Sequence, residues 1–189
     1  MMLKSSEIRI FLLLLIPTLS LAQQDEIAMI SKQVREISSR IASYDSINSA
    51  DKNQMILKLF DEEYNELVSE GEGELNGYFV DGGLRRLHHQ SLTFSGFIDM
   101  YFFFRGGELI CAQHVERKLI GKYDDGDWIA WDLSKTSDTI FVGKYYVKGR
   151  ELIDFKAKGE PYFAESFVLE DLLTISDQLA EILEEKMKE

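Results

Sequence analysis

The sequence is short of cysteine, proline, histidine and tryptophan: one, two, three and two respectively in 189 residues. A lone Cys111 excludes an internal disulfide and every cysteine-rich zinc motif. Pro17 and Pro161 are too few for a proline-rich extended chain. The main apolar run, Ile10-Phe11-Leu12-Leu13-Leu14-Leu15-Ile16, stops at Pro17, well short of the roughly 20 residues that a spanning helix needs. Positive charge is also scarce. Lys and Arg total 21 against 33 Asp and Glu, for a net charge of −12. Like-charge repulsion therefore argues against nucleic acid and anionic lipid as partners. What remains is 45% hydrophobic and 29% charged, enough for one α+β domain with its own core.

The first 22 residues read as an export signal. Lys4 and Arg9 make a basic start, the apolar run follows, and Ser20 and Ala22 place small residues where a signal peptidase reads them. The expected cut lies between Ala22 and Gln23, which predicts a periplasmic or secreted protein. Position 23 is Gln rather than Cys, so no lipid anchor is expected. Removal of Lys4, Glu7 and Arg9 (net +1) from the −12 chain leaves −13. The expected partner is a protein, peptide or glycan of the cell envelope, with no nucleic acid, no membrane span after cleavage and no cofactor.

Residues 23–189 read as one domain. Ile27, Ile30, Val34, Ile37, Ile41 and Tyr44 recur at alternating spacings of three and four, which predicts a helix over 25–46 with a narrow apolar stripe. Residues 47–72 read as irregular and end in the turn Glu70-Gly71-Glu72-Gly73; the alternatives are a helix capped at Ser49 or Asp51 and running through Met55, Leu59, Glu63 and Leu67, or a short strand at Met55–Phe60. From about 74 to 158 the texture is that of strands. Phe167, Leu169, Leu172, Leu173, Ile175, Leu179, Ile182 and Leu183 predict an amphipathic C-terminal helix over 165–187. The expected fold is an N-terminal helix, an antiparallel β-meander of about five to seven strands, and that final helix.

Three segments repeat one hairpin pattern of aromatic strand, glycine turn and leucine-led return. They are Tyr78-Phe79-Val80-Asp81-Gly82-Gly83-Leu84, Phe102-Phe103-Phe104-Arg105-Gly106-Gly107-Glu108-Leu109-Ile110 and Tyr145-Tyr146-Val147-Lys148-Gly149-Arg150-Glu151-Leu152-Ile153. The second and third align without gaps 43 residues apart, and the first reads as one residue shorter in its turn. Glycine supplies the positive φ of a tight turn, while aromatic and β-branched residues suit a pleated surface. These hairpins, behind a signal ending in Ala-Gln, resemble a group of exported Bacteroidetes proteins with Tyr-Tyr-Phe-x-x-Gly-x-Leu-type turns over roughly residues 25–157. That resemblance implies a helix followed by a sheet and carries no activity. MORN-type repeats, whose period is shorter, are a more distant likeness.

A turn at Gly106-Gly107 predicts that Phe104 faces Leu109, Phe102 faces Cys111, Phe103 faces Ile110 and Asp99 faces His114. The third hairpin is expected to gather Val142, Tyr146, Ile153 and Phe155 on one side. Cys111 reads as a small buried hydrophobe.

The chemistry-bearing candidates follow from that register. A carboxylate orienting an imidazole, Asp99 with His114, is half of a hydrolytic triad or a metal's outer shell, although an ordinary ion pair on the sheet is the favoured reading, since no nucleophile motif accompanies it. His88 and His89 point to opposite faces, and one of them can approach His114 only across an intervening strand. Zinc wants three or four converging ligands, which the spacing does not supply. Asp124, Asp125, Asp127 and Asp132 lack the closing Glu of a calcium loop and read as a solvated acidic turn. Arg85 and Arg86 suit a carboxylate or phosphate, or guard a strand against aggregation. Trp128 and Trp131 read as plugging the end of the sheet, or as a sugar or peptide platform. The sequence favours an exported, non-catalytic binding domain with Tyr101, Phe103, Arg86, His88, Trp128 and Trp131 as candidate contacts. The alternatives are a small hydrolase or metal-dependent enzyme built on His88, His89, His114 and Asp99, and a structural subunit of an envelope assembly.

Overall fold

Every connection between Gly73 and Gly159 is a two-residue turn, and such brevity makes successive strands neighbours that run in opposite directions. Four of the five turns place both central residues at positive φ: Asp81-Gly82 (53° and 73°), Gly106-Gly107 (60° and 83°), Asp125-Gly126 (47° and 93°) and Gly149-Arg150 (55° and 67°). That is the geometry whose twist matches the strands it joins. The strands are β1 (Gln54–Phe60), β2 (Gly73–Val80), β3 (Gly83–Thr93), β4 (Gly96–Arg105), β5 (Glu108–Asp124), β6 (Asp127–Lys148) and β7 (Glu151–Gly159). They form one antiparallel sheet in sequence order. This computed structural model describes residues 5–46, 54–60, 73–163 and 167–188.

Within 47–72 the alternative reading, a short strand at Met55–Phe60, is the one found: Gln54–Phe60 is an edge strand paired along its length with β2, with Leu59 buried opposite Leu75. The turn expected at Glu70–Gly73 lies outside the described residues up to Glu72. The first hairpin also differs from its reading, because its turn has the same length as the other two. Val80, Arg105 and Lys148 are equivalent positions, each paired across its turn, with Gly83, Glu108 and Glu151 respectively.

The larger departure is one of register. Phe104 faces Leu109 as expected, but the ladder then shifts and Phe103 faces Cys111. Ile110 is the extra residue of a β-bulge. The same shift follows Leu84, where Arg85 is extra, and Leu152, where Ile153 is extra. A bulge places two residues of one strand against a single partner residue, so every position beyond it changes face relative to an unbroken ladder. Cys111 therefore joins Phe103, not Phe102, and Phe155 faces Tyr145 rather than sharing a side with Tyr146.

Each face of the sheet carries a helix. The helix α1 (Ser5–Ser46) starts earlier than the 25–46 expected, and the leucine-rich stretch before Ala22 suits helical backbone. Its Ile27, Ile30, Val34 and Ile37 pack on Phe103, Ile110, Cys111, Tyr146 and Ile153. Glu26 ties it to two equivalent hairpin positions, through Arg105 at 3.3 Å and Lys148 at 3.0 Å. Lys148 foremost, with Arg105, holds the Glu26 carboxyl below its ordinary range. Gln23 Nε2 donates to the Ile153 carbonyl on the edge strand.

The helix α2 (Leu169–Lys186) covers the other face, burying Leu172, Leu173, Leu179 and Leu183 against Phe79, Leu87, Phe102, Phe104 and Val147. Glu170 and Asp171 in its first turn and Lys186 in its last complement the helix dipole. Gly77 allows the close approach: a Cβ there would lie 3.0 Å from a Leu183 methyl. Among the described residues no helix is long and apolar enough to cross a membrane.

The main core centres on Phe102, which is fully buried, whereas Phe94 in the β3–β4 turn is 85% exposed. Phe102→Ala is expected to cost about 3–5 kcal/mol in denaturant unfolding, and Phe94→Ala about 1 kcal/mol or less. Equal losses in the two variants would contradict this placement of the core.

Candidate functional site

The shifted register separates the pair expected to be catalytic. Asp99 faces Val115 and His114 faces Met100, so their side chains leave opposite faces of the sheet. The notion of an Asp99–His114 dyad is thereby corrected. Asp99 instead anchors a polar cluster on one face, and His114 lies beside the buried Glu116 on the other.

Asp99 is 1% exposed and accepts from three side chains. Its Oδ1 receives His88 Nε2 at 2.9 Å and Gln90 Nε2 at 2.8 Å, and its Oδ2 receives the Arg117 guanidinium at 2.7 and 2.8 Å. Burial pushes the Asp99 carboxyl up, but His88, Gln90 and Arg117 outweigh it and hold the group below its ordinary value. The partners come from β3 and β5 on either side, at positions the register brings opposite or diagonal to Asp99. The Tyr101 ring stacks on His88 with centroids 4.4 Å apart and planes 7° from parallel. The Arg86 guanidinium lies 5.7 Å from the centre of the same ring. Burial, with Asp99 nearby, pushes the Tyr101 hydroxyl pKa up.

A carboxylate that accepts three donors is a fixed anchor rather than a proton shuttle. It orients His88, yet the only hydrogen bond His88 makes among the described residues is to Asp99. No hydrogen bond joins His88 to a hydroxyl or thiol among the described residues, and the Tyr101 ring covers one side of its imidazole. Phe103, a candidate contact by sequence, is 2% exposed and packed beneath α1. Tyr101 is half-buried at the border of that cover.

On the α2 side His114 and Glu116 are both fully buried. Glu116 Oε2 accepts the backbone N–H groups of Tyr162 (2.6 Å) and Phe163 (3.0 Å), which pins the connection after β7 onto the sheet. The His114 ring meets Phe141 and Phe167 edge-on, at 5.1 Å from each. Its Nε2 lies 3.1 Å from Glu116 Oε1, but the approach misses hydrogen-bond geometry and neither ring nitrogen has an aligned partner among the described residues. Burial lowers the His114 pKa, and the nearby Glu116 charge only partly opposes this. His89, 6% exposed, shares the α2 face, with Met100 standing between it and His114. Among the described residues no group of three or more His, Cys, Asp or Glu could hold a metal. Cys111 is 1% exposed and its thiol is pushed up to about 12 by burial, so it behaves as a hydrophobe.

Trp128 stands in solvent rather than plugging the sheet, while Trp131 is half-buried. The far ends of β5 and β6 pair beyond the β3–β4 turn and form an arm ending at Asp125-Gly126. Trp128 is 49% exposed, Tyr123 66% and Ile129 58%. Trp128 meets Trp131 edge-on at 5.6 Å, and Trp131 meets Phe94 edge-on at 6.3 Å. Gly121 leaves room for this packing, since a Cβ there would lie 3.1 Å from the Trp128 ring. Asp124, Asp125 and Asp127 are exposed at the tip, whereas Asp132 is buried near Lys122.

The sequence reading missed Arg117, Gln90 and Glu116 because the bulge hid which face each occupies: Arg117 and Gln90 lie with Asp99, and Glu116 lies on the other side. It missed Phe94 and Tyr123 because a rule that buries aromatics has no signal for an arm.

Two pH windows follow. The folded chain holds His114 with a depressed pKa, so the unfolded chain takes up the proton more readily. The contribution of neutral His114 is complete above about pH 6.5 and shrinks as pH falls toward its folded value. Asp99 contributes fully above its ordinary value of 3.8, and that contribution disappears only as pH falls through the lower folded value. Unfolding midpoints should therefore drop between about pH 7.5 and 5 in the parent, and the slope should flatten in His114→Leu. Asp99→Ala should lose about 3–5 kcal/mol at neutral pH, because it strands Arg117 and His88, while keeping the His114 slope. A slope unchanged in His114→Leu would refute the assignment. Compared with protein-family models, with curated proteins and with solved structures, the chain matches none.

Proposed function

We propose that this is an exported, non-catalytic binding domain that engages a protein, peptide or glycan of the cell envelope through the aromatic arm of β5 and β6. The observation that carries this reading is the exposure of Tyr123, Trp128 and Ile129 together on a hairpin that projects past its neighbours. Leaving large apolar side chains in water forfeits about 1.5–3 kcal/mol each relative to burial, and clustered exposure of this kind is typical of interaction sites. Aromatic rings with acids alongside suit a partner that stacks or packs on the rings and donates hydrogen bonds to Asp124, Asp125 or Asp127. The signal-like first 22 residues and the resemblance to exported hairpin proteins support the export half of the reading.

Both tryptophans of the chain lie in the arm, so intrinsic tryptophan emission reports on the arm alone. Titration with a panel of neutral oligosaccharides and a panel of extended peptides should give a saturable change in emission with one class. Trp128→Ala, which keeps Trp131 as reporter, should weaken that binding about tenfold or more while the unfolding midpoint moves little. Emission unresponsive to both panels would overturn the arm as a binding surface. Mass spectrometry of the exported protein should find Gln23 at its N-terminus, and an intact Met1 would overturn the cut.

A further inference from the structure

The first hairpin breaks the pattern of the other two at its bulge. Ile110 and Ile153 occupy that position in the second and third hairpins, and both pack under α1. The equivalent residue of the first is Arg85. The bulge pushes it to the α1 side, where it lines a groove of about 270 Å³ between α1 and the first two hairpins. Tyr78, Phe104 and Ile110 line its apolar part, and Arg40, Arg85 and Arg105 bring three guanidinium groups to it.

The three are not equally engaged. Arg105 reaches Glu26 and Gln33 on α1. Neither Arg40 nor Arg85 has a side-chain hydrogen bond or ion pair among the described residues. The groove's two acids do not neutralise them: Glu36 pairs at 3.9 Å with Lys32 on its own helix, and Asp81 pairs with neither arginine. A chain with 12 more acids than bases thus gathers three guanidiniums in one concavity, two of them without an ion-pair partner among the described residues. Like charges held together on an apolar floor repel, and the arrangement is relieved by an anion that accepts from both. Guanidinium is the side chain whose planar fork matches the oxygens of a carboxylate or phosphate.

We propose that the groove between α1 and the first two hairpins binds the oxyanion, phosphate or carboxylate, of a small soluble molecule, held by Arg40 and Arg85. The site lies at the sheet end opposite the aromatic arm, so it stands or falls independently of the binding surface proposed above.

The repeat itself supplies the test variant. Arg85→Ile installs the residue that the other two hairpins carry at this bulge, so the fold should tolerate it. Calorimetric titration of the full chain with inorganic phosphate, and separately with acetate, is run against sodium chloride at matched ionic strength. At least one of the two anions should bind saturably, and which one does so distinguishes phosphate from carboxylate. Arg85→Ile and Arg40→Gln should each weaken that binding about tenfold or more, with unfolding midpoints in chloride equal to the parent's or higher. Failure of both anions to saturate would overturn the proposal. So would parent-like affinity in both variants, or binding confined to phosphatidylglycerol vesicles with neither small anion bound.

Discussion

A single residue inserted after the leading leucine of each return strand governs which side chains meet which helix. Leu84, Leu109 and Leu152 pair across their turns in the register the turn dictates, and the next residue then bulges. Leu109 and Ala112 accordingly face α2, while the two residues between them, Ile110 and Cys111, both face α1. An unbroken strand could not place two successive side chains on one face. The repeated bulge lets a sheet of short-turned hairpins supply a large apolar surface to α2 and a narrower one to α1. It also matches the narrow stripe of Ile27, Ile30, Val34 and Ile37.

Among the described residues Asp99 and Glu116 lie inside this sandwich, one on each face, and each meets the same physical demand. Removing a carboxylate from water is expensive unless donors replace the lost hydration. Asp99 receives side-chain donors from the neighbouring strands, and Glu116 receives two backbone N–H groups from the connection after β7. The first arrangement locks His88 and Arg117 in place over the open part of the α1 face. The second fixes the path of the chain toward α2. Their roles differ because their donors differ: mobile side chains are oriented by Asp99, whereas a backbone segment is docked by Glu116.

The surface features divide along the strand direction. The aromatic arm, with acids at its tip, extends from the end that carries the β3–β4 turn. The arginine-lined groove lies at the end of the three repeated turns, under the C-terminal half of α1. The lengths of β5 and β6, 17 and 22 residues, create that separation, because only these two strands continue past their neighbours.

Much of the architecture was legible from local signals. Glycine punctuation announced the hairpins, the three-four spacing announced α1, and the broad apolar face of 169–183 announced α2, because turn geometry and helical period act within a few residues. What escaped was everything that depends on register. The sequence reading placed Asp99 opposite His114, since nothing in Leu109-Ile110-Cys111 marks Ile110 as the residue that drops out of the ladder. The edge strand β1 was only an alternative reading of Met55–Phe60, because its pairing partner lies beyond a 12-residue gap. By itself the sequence determined the order of the elements and the apolar character of both sheet faces. Only the tertiary structure decided that Asp99 binds His88 and Arg117, that Trp128 stands in solvent, and that Arg85 enters a groove. A bulge is selected by the packing of two helices against opposite faces, and no local preference encodes that competition.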